Sequence, residues 1–293
     1  MSSRPLKRLL SLVDLKLRNW RAIYYSALDA MYLGLKDRIA FVTGASRGIG
    51  CGIATALASE GVHLALFGRD IERCKEVGHA LRQMHQELRI IERRVDLNQA
   101  HTIPDAIRSA AEELNGIDIL VNCAGGAYRG KLSEIPDQEW ERWFQVKPIG
   151  LIRVTRECLP WLRRSDQARV VNIAGIFGRE PAKSSVMGGP INMATLSVTK
   201  ALANELGAQG ITVNAINPGP TDTGRWRELV AVTARELGVS EAEAEMHMLR
   251  EVPMGRVVRV QEVAALVLFL ASSSAGMISG AAINIDGGLS RSI

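Results

Sequence analysis

The sequence predicts an α/β fold built on a doubly wound parallel sheet, with an amphipathic helical extension in front of it. Short apolar runs recur at 38–42 (RIAFV), 63–67 (HLALF) and 117–126 (IDILVNCAGG), with a further strand expected at 93–98 (RRVDLN), separated by stretches of helical character. Strand, helix, strand, helix at this spacing is the pattern of parallel strands joined by crossover helices. The glycine-rich TGASRGIG at 43–50 stands between the first run and the helix-forming IATALASEG. A composition of 47% apolar and 23% charged residues over 293 residues suits a soluble globular chain of one large domain or two small ones.

Residues 1–34 read as the helical extension. Leu6, Leu9, Leu10, Val13, Leu17, Trp20, Tyr24, Ala27 and Leu28 recur every three or four positions and form one stripe on a 3.6-residue helix. Arg4, Lys7, Arg8, Lys16, Arg18 and Arg21 outnumber Asp14 and Asp29 here, so this segment carries most of the chain's net charge of +5. Three readings stay open: a docked or dimer-forming helix, a membrane-surface helix over 6–28, or a stretch upstream of a true start at Met31. From Met31, MYLGLKDRIAFVTG leads straight into the first strand. The rest of the chain is nearly neutral, which argues against a nucleic-acid footprint. No apolar run is long enough for a transmembrane helix, and MSSRPLKRLL lacks the apolar core of a secretory signal. Cys51, Cys74, Cys123 and Cys158 form no metal-ligand or disulfide pattern. That suits a cytoplasmic protein without a metal site.

The first strand delivers the chain into the glycine loop. Gly44, Gly48 and Gly50 permit a tight turn and close approach of the backbone to a pyrophosphate seated on a helix N-terminus. Ser46, Arg47 and Ile49 complete this expected cofactor loop. The second strand ends in Gly68-Arg69 rather than in the acidic residue that would bond the ribose hydroxyls of NAD. Arg69 and Arg47 place two guanidinium groups near the 2′ position, which suits a phosphate. NADP(H) is therefore expected ahead of NAD(H). The third strand is expected to end in Asp96, and the fourth runs into the small-residue turn NCAGG.

TGASRGIG, VDLN (95–98), NCAG (122–125), VNAINPGPTDT (213–223) and SGAAINIDGG (279–288) together resemble the short-chain dehydrogenase/reductase family over about residues 35–290. The resemblance implies a single Rossmann-like domain over 35–293 with a parallel sheet of about seven strands. It implies hydride transfer between a nicotinamide cofactor and a small-molecule carbonyl/alcohol pair, and a homodimer or homotetramer. By the same resemblance Asp96 and Leu97 would meet the adenine, and Asn122, Ala124 and Gly125 would line the cofactor. Pro218, Gly219 and Thr223 would hold its nicotinamide end. Residues 252–272 resemble the family's late helix.

The family's usual machinery is an asparagine, a serine, a tyrosine and a lysine, yet SSVMGGPINMATLSVTK (184–200) holds no tyrosine. Placing the lysine at Lys200 and an altered tyrosine at Leu196 would need an insertion and an equally shortened helix. Counting back from Asn214 and counting forward from Gly175, which ends VVNIAG, both reach Gly188 for the tyrosine and Asn192 for the lysine. FQVKPIGL (144–151) puts Lys147 where the asparagine is expected. The four positions therefore read Lys147, Gly175, Gly188 and Asn192. Lys147 and Asn192 read as an exchange that keeps one ammonium and one amide in the pocket, with Asn192 bonding the nicotinamide ribose. The competing reading has Lys147 in solvent or paired with an acid elsewhere. Ser184, Ser185 and Tyr128 are candidate proton donors on loops. Asn172 is expected to be structural.

Residues 223–256 read as a helical substrate lid, in which Ser240 and Glu243 form a capping box. Trp226, Met246 and Met248 are its candidates for facing a substrate, with core packing the commoner fate of such residues. Three functions remain open on this reading. The first is an NADP(H) oxidoreductase with a non-standard proton donor. The second is a catalytically inactive NADP-binding subunit, and the third is a lyase or isomerase on the same fold.

Overall fold

The computed structural model describes residues 33–126, 128, 130–182 and 185–292. The helix expected over 6–28 and the candidate Ser184 lie outside the described residues. Leu35–Ile293 forms one compact unit. Among the described residues, seven parallel strands form a sheet in the order β3-β2-β1-β4-β5-β6-β7. The strands are β1 (Ile39–Thr43), β2 (His63–Gly68), β3 (Ile90–Arg94), β4 (Ile119–Asn122), β5 (Arg169–Ile173), β6 (Thr212–Pro218) and β7 (Ala282–Ile285).

β1, β4, β5 and β6 are buried along their whole length, whereas the edge strands β3 and β7 are only partly covered. Helices on both faces cause this difference, and it explains why the inner strands read as unbroken apolar runs rather than as alternating ones. Phe41 and Phe67 meet across neighbouring strands with ring centroids 5.2 Å apart, on the face closed by Ile103, Ile107 and Leu114. Those three lie on one stripe of the amphipathic helix Ile103–Leu114.

The third strand differs from expectation, because β3 ends at Arg94 and Asp96 stands beyond it. Its partner β2 ends at Gly68, so the ladder has one last bond, Val95 N–H to Gly68 O at 3.0 Å. The Asp96 carboxylate then accepts from Asn98 N–H at 3.0 Å and turns the chain over the sheet edge. Strand order reverses between β1 and β4, which continue into the glycine loop and the NCAGG turn. An open parallel sheet presents its ligand crevice at such a switch point, outside the carboxyl ends of the strands.

Candidate active site

The crevice is built from close backbone approaches. Gly44 (φ +70°) brings the loop after β1 so near the turn after β4 that a Cβ on it would stand 2.9 Å from Ala124 Cα. A Cβ on Gly50 would overlap the carbonyl oxygen of Gly44. Thr43 Oγ1 accepts from the N–H groups of Cys123 (3.0 Å) and Ala124 (3.1 Å) and so fixes the second turn against the first strand. Ser46, Gly48 and Ile49 are half-buried, and Arg47 is exposed at the N-cap of α1 (Gly48–Ser59). The end of β2 closes on this loop, since a Cβ on Gly68 would lie 3.7 Å from Ser46 Cβ. Arg47 and Arg69 therefore flank one corner of the crevice. Asp70, the nearby acid, is occupied as the N-cap of α2 (Ile71–Met84), accepting from Arg73 N–H at 3.2 Å. This cradle fits a dinucleotide, and its two arginines fit a phosphate on the adenosine ribose.

Asp96 is half-buried and Leu97 buried beside this corner. At the far end, Gly219 N–H bonds Ile285 O at 3.0 Å, and a Cβ there would meet Asp286 Cα at 2.9 Å. Pro218 closes β6, and Thr223 caps α7 (Gly224–Leu237) with its Cγ2 against Gly48. The side chain of Asn122 has structural partners. It is turned into the protein, donating to Asn172 Oδ1 (2.9 Å) and Thr155 Oγ1 (3.2 Å), while Asn172 donates to Thr199 Oγ1 (2.9 Å). Asn122 and Asn172 thus tie β4, β5 and two flanking helices together. Ala124 lies against Gly44, and Gly125 lies under the stem of Lys147.

Lys147 enters the site from an irregular helix. α3 (Ile103–Leu114) is followed by α4 (Asp137–Phe144), a π turn at Gln145–Ile149, and α5 (Gly150–Leu162). Pro148 lacks an N–H, and its ring would clash in an ordinary helical turn, so the wider π turn accommodates it. The turn also buries Lys147 and directs it at the ends of β4 and β5. The ammonium donates to Ala174 O at 2.7 Å and to Asn192 Oδ1 at 2.6 Å. A lysine has three N–H donors, and among the described residues these two bonds leave one of them unbonded. Burial lowers the Lys147 pKa to about 8; Cys123 opposes the fall and the charge of Arg225 adds to it. Cys123 itself is pushed up to about 12 by burial and remains a thiol at neutral pH.

The glycines at the expected serine and tyrosine positions fit these neighbours. A Cβ on Gly175 would stand 3.0 Å from Asn192 Nδ2, and one on Gly178 would stand 2.9 Å from Asn192 Cβ. A Cβ on Gly188 would overlap the hydroxyl of Ser185, which is buried. The stem of Lys147 lies on Gly125, where a Cβ would meet Lys147 Cδ at 2.9 Å. Each unusual residue therefore occupies space that its glycine partner leaves open. Gly188 begins α6 (Gly188–Leu206), and Asn192 faces the sheet one turn later. Lys200 lies about 12 Å further along this helix by its rise per residue, exposed and packed on Gly280.

The structure thus brings Lys147, Asn192, Gly175 and Gly188 into one neighbourhood, with Ser185 at its edge. Tyr128 is exposed, with its ring near Gly130 and its backbone N–H on Met187 Sδ at 3.3 Å. Among the described residues no hydrogen bond joins it to Lys147 or Asn192. Among the residues named for residues 223–256, core packing is the outcome for Trp226 and Met248. Trp226 is buried in the lid's own core with Val230, Ala234, Ala244 and Met248, and its Nε1–H bonds Glu245 at 2.7 Å. Met246 is 63% exposed. The capping box at Ser240 and Glu243 does form and starts α8 (Glu241–Leu249). Ala174, Gly178, Trp143 and Arg225 belong to the site without having been singled out in the sequence. Of these, only Arg225 had a signal, as a cation two residues beyond Thr223.

Residues 44–290 match the family model described as enoyl-(acyl carrier protein) reductase. The NADPH-dependent reductase BacG of Bacillus subtilis (strain 168) is 29% identical, over 88% of this chain and 100% of its own length. L-sorbose reductase from Gluconobacter frateurii, solved in complex with NADPH and L-sorbose, superposes with a TM-score of 0.85 at 27% identity, over 89% of this chain and 99% of that one. A short chain oxidoreductase from Pseudomonas aeruginosa PAO1, described as containing an atypical catalytic center, superposes with a TM-score of 0.80 at 29% identity, over 87% and 98%.

Proposed function

The chain belongs to the short-chain dehydrogenase/reductase family, and from that membership we propose that this oxidoreductase reduces a small-molecule carbonyl with NADPH, or runs the reverse oxidation, with the Lys147 ammonium as proton donor. One observation carries the proposal. Lys147 is buried at the strand ends, held by Ala174 O and Asn192 Oδ1, with one N–H left and a pKa lowered to about 8. An acid with a pKa near the working pH is the best compromise between being protonated and giving the proton up.

NADP(H) is the cofactor, in keeping with the relatives that use NADPH and with Arg47 and Arg69 at the adenosine corner. Gly44, Gly48, Gly50, Ala124, Gly125, Gly219 and Thr223 would hold it. When bound it supplies the hydride. Lys147 donates a hydrogen bond to the carbonyl oxygen and passes its proton as that oxygen becomes an alkoxide; the amine left behind is reprotonated from solvent. Asn192, with its carbonyl on Lys147, would use its amide N–H groups to hold the nicotinamide ribose. Gly175 and Gly188 leave the room that a serine and a tyrosine would fill. The paired adjustments at Gly175 with Asn192 and at Gly188 with Ser185 favour an adapted centre over a decayed one, because random loss leaves cavities and unpaired groups rather than matched packing.

A coupled titration and turnover assay tests this reading. Purified protein should bind NADPH tightly and consume it in the presence of some member of a carbonyl panel, with a rate that falls above pH 8. Tight binding without turnover at any pH would instead favour an NADP-binding subunit. Cofactor choice has its own test: Arg69→Ala should weaken NADPH binding by about 10- to 100-fold, the worth of a charge-assisted bond to phosphate, and NADH binding hardly at all. Equal losses for both would remove the 2′-phosphate assignment.

We also place the protein in a reducing compartment, in accord with its four free cysteines; among the described residues no helix is long and apolar enough to cross a membrane. A homodimer or homotetramer is the proposed assembly, to be measured by light scattering. The exposed Met193 and an apolar depression of about 520 Å³ beside Pro181, Val186 and Pro190 support it.

A further inference from the structure

The lid carries a cation into the cleft. Its base is tied to the body by a short parallel bridge between Thr221 and Val258, with Asp222 N–H on Val258 O (2.9 Å) and Val258 N–H on Pro220 O (2.7 Å). Thr223 then caps α7 and rests on Gly48 of the cofactor loop. Arg225, in the first turn of that helix, is therefore placed by a rigid base rather than by a free loop. Its guanidinium reaches the turn after β4, where a Cβ on Gly126 would stand 3.1 Å from Arg225 Nη1 and 2.7 Å from the edge of the Trp143 ring. The stem of Lys147 lies on the adjoining Gly125.

Two cations thus flank two consecutive glycines, and Arg47 of the cofactor loop acts on the same guanidinium. Arg225 is exposed over much of its surface, yet desolvation of its guanidinium lowers its pKa, Glu228 opposes that fall, and Arg47 adds to it. Like charges gathered at the mouth of a cleft raise one another's energy. They also focus a positive potential that draws and orients an anion. Glu228, three residues further along α7, is exposed to solvent, so it offsets the charge from outside the cleft. The planar guanidinium can hold two oxygens of a carboxylate or phosphate at once.

We propose that Arg225 is an anion-binding residue of this site, which holds a phosphate or carboxylate lying across residues 125–126 next to Lys147. The anion comes either from the cofactor's diphosphate or from a carboxylate on the substrate. This inference rests on the oxidoreductase reading of the cleft. A carboxylate held here would leave the neighbouring carbonyl within reach of Lys147, so the substrate class would be an oxo acid or hydroxy acid.

Arg225→Met keeps much of the side chain's bulk and removes its charge, while Arg225→Lys keeps the charge and loses the planar fork. Both are made in the full chain and checked for unchanged circular dichroism. Binding is measured without turnover in two arms. The first is fluorescence titration with NADPH. The second compares, on NADP⁺-loaded protein, phenylpyruvate with phenylacetone, in which a methyl replaces the carboxylate. A loss of NADPH affinity of about 10- to 100-fold in Arg225→Met, with a smaller loss in Arg225→Lys, supports the proposal with the diphosphate as the anion. Unchanged NADPH affinity, with a wild-type preference for phenylpyruvate that Arg225→Met removes, supports it with the substrate carboxylate as the anion. Unchanged NADPH affinity together with no carboxylate preference that depends on Arg225 overturns it. Because neither arm needs catalysis, failure of Lys147 as proton donor leaves this result readable.

Discussion

Lys147→Met is expected to lower kcat for carbonyl reduction by about 100- to 10,000-fold, the usual worth of a positioned general acid. NADPH binding should weaken much less, by up to about 10-fold, through the loss of the bond that anchors Asn192. The wild-type pH profile should locate the same group. Reduction needs the ammonium, so its rate should be flat below pH 8 and fall above it. Alcohol oxidation needs the free amine, so its rate should rise toward pH 8 and then level. These limbs follow from the pKa of about 8 in the folded protein.

Stability supplies a control with a definite sign. The folded pKa lies below the ordinary lysine value of 10.5, so between pH 8 and 10.5 the unfolded chain binds the extra proton. Stability should rise with pH across that window. Below it, burying the ammonium costs about 3 kcal/mol relative to a solvated lysine. Methionine removes that cost, but leaves Ala174 O and Asn192 Oδ1 without their donor, at about 1–3 kcal/mol each. The variant should therefore stay folded at neutral pH and lose the stability gain above pH 8. Activity within threefold of wild type, or an unchanged pH profile, would remove Lys147 from the chemistry.

Gly188→Tyr restores the residue type that most of the family uses, and it is expected to fail. The new Cβ would overlap the buried hydroxyl of Ser185, and the ring would need space now taken by the loop that enters α6. Overpacking of this kind costs about 1–3 kcal/mol, which for a chain of this size lowers Tm by several degrees. Turnover should fall at least about 10-fold, since Lys147 and Asn192 would be displaced from the carbonyl they serve and a misplacement of about 1 Å is enough to cost that much. Thermal melts and kcat for Gly188→Tyr, beside Gly188→Ala as the smaller intrusion, check this. A gain in kcat would mean that the site is a depleted version of the family's rather than a rebuilt one.

Much of the architecture was legible in the sequence. The apolar runs marked β1, β2 and β4 to within a residue or two, because strands covered on both faces carry no polar alternation to blur them. The capping box at Ser240 was legible because both of its partners lie within one turn. β3 was extended too far, to Asp96, because its end is set by the length of β2 rather than by its own residues. For Trp226 and Met248 the sequence left a substrate-facing role and core packing both open, because periodicity reports that a face is buried without reporting against what. Trp226 and Met248 bury against the lid's own helices.

The sequence by itself determined the parallel α/β order and the glycine cradle, and its spacing singled out the four positions proposed to depart from the family's catalytic pattern. These follow from local backbone demands and from spacing along one chain. Only the tertiary structure decided that Asn122 serves the sheet, that a π turn at Pro148 swings Lys147 onto Ala174 O and Asn192 Oδ1, and that Gly175 and Gly188 leave the space their neighbours occupy. It also decided that Arg225 crosses to the 125–126 turn. Those relations join residues far apart in the chain through hydrogen bonds and excluded volume, which act over a few ångströms in space and leave no period or spacing in the sequence.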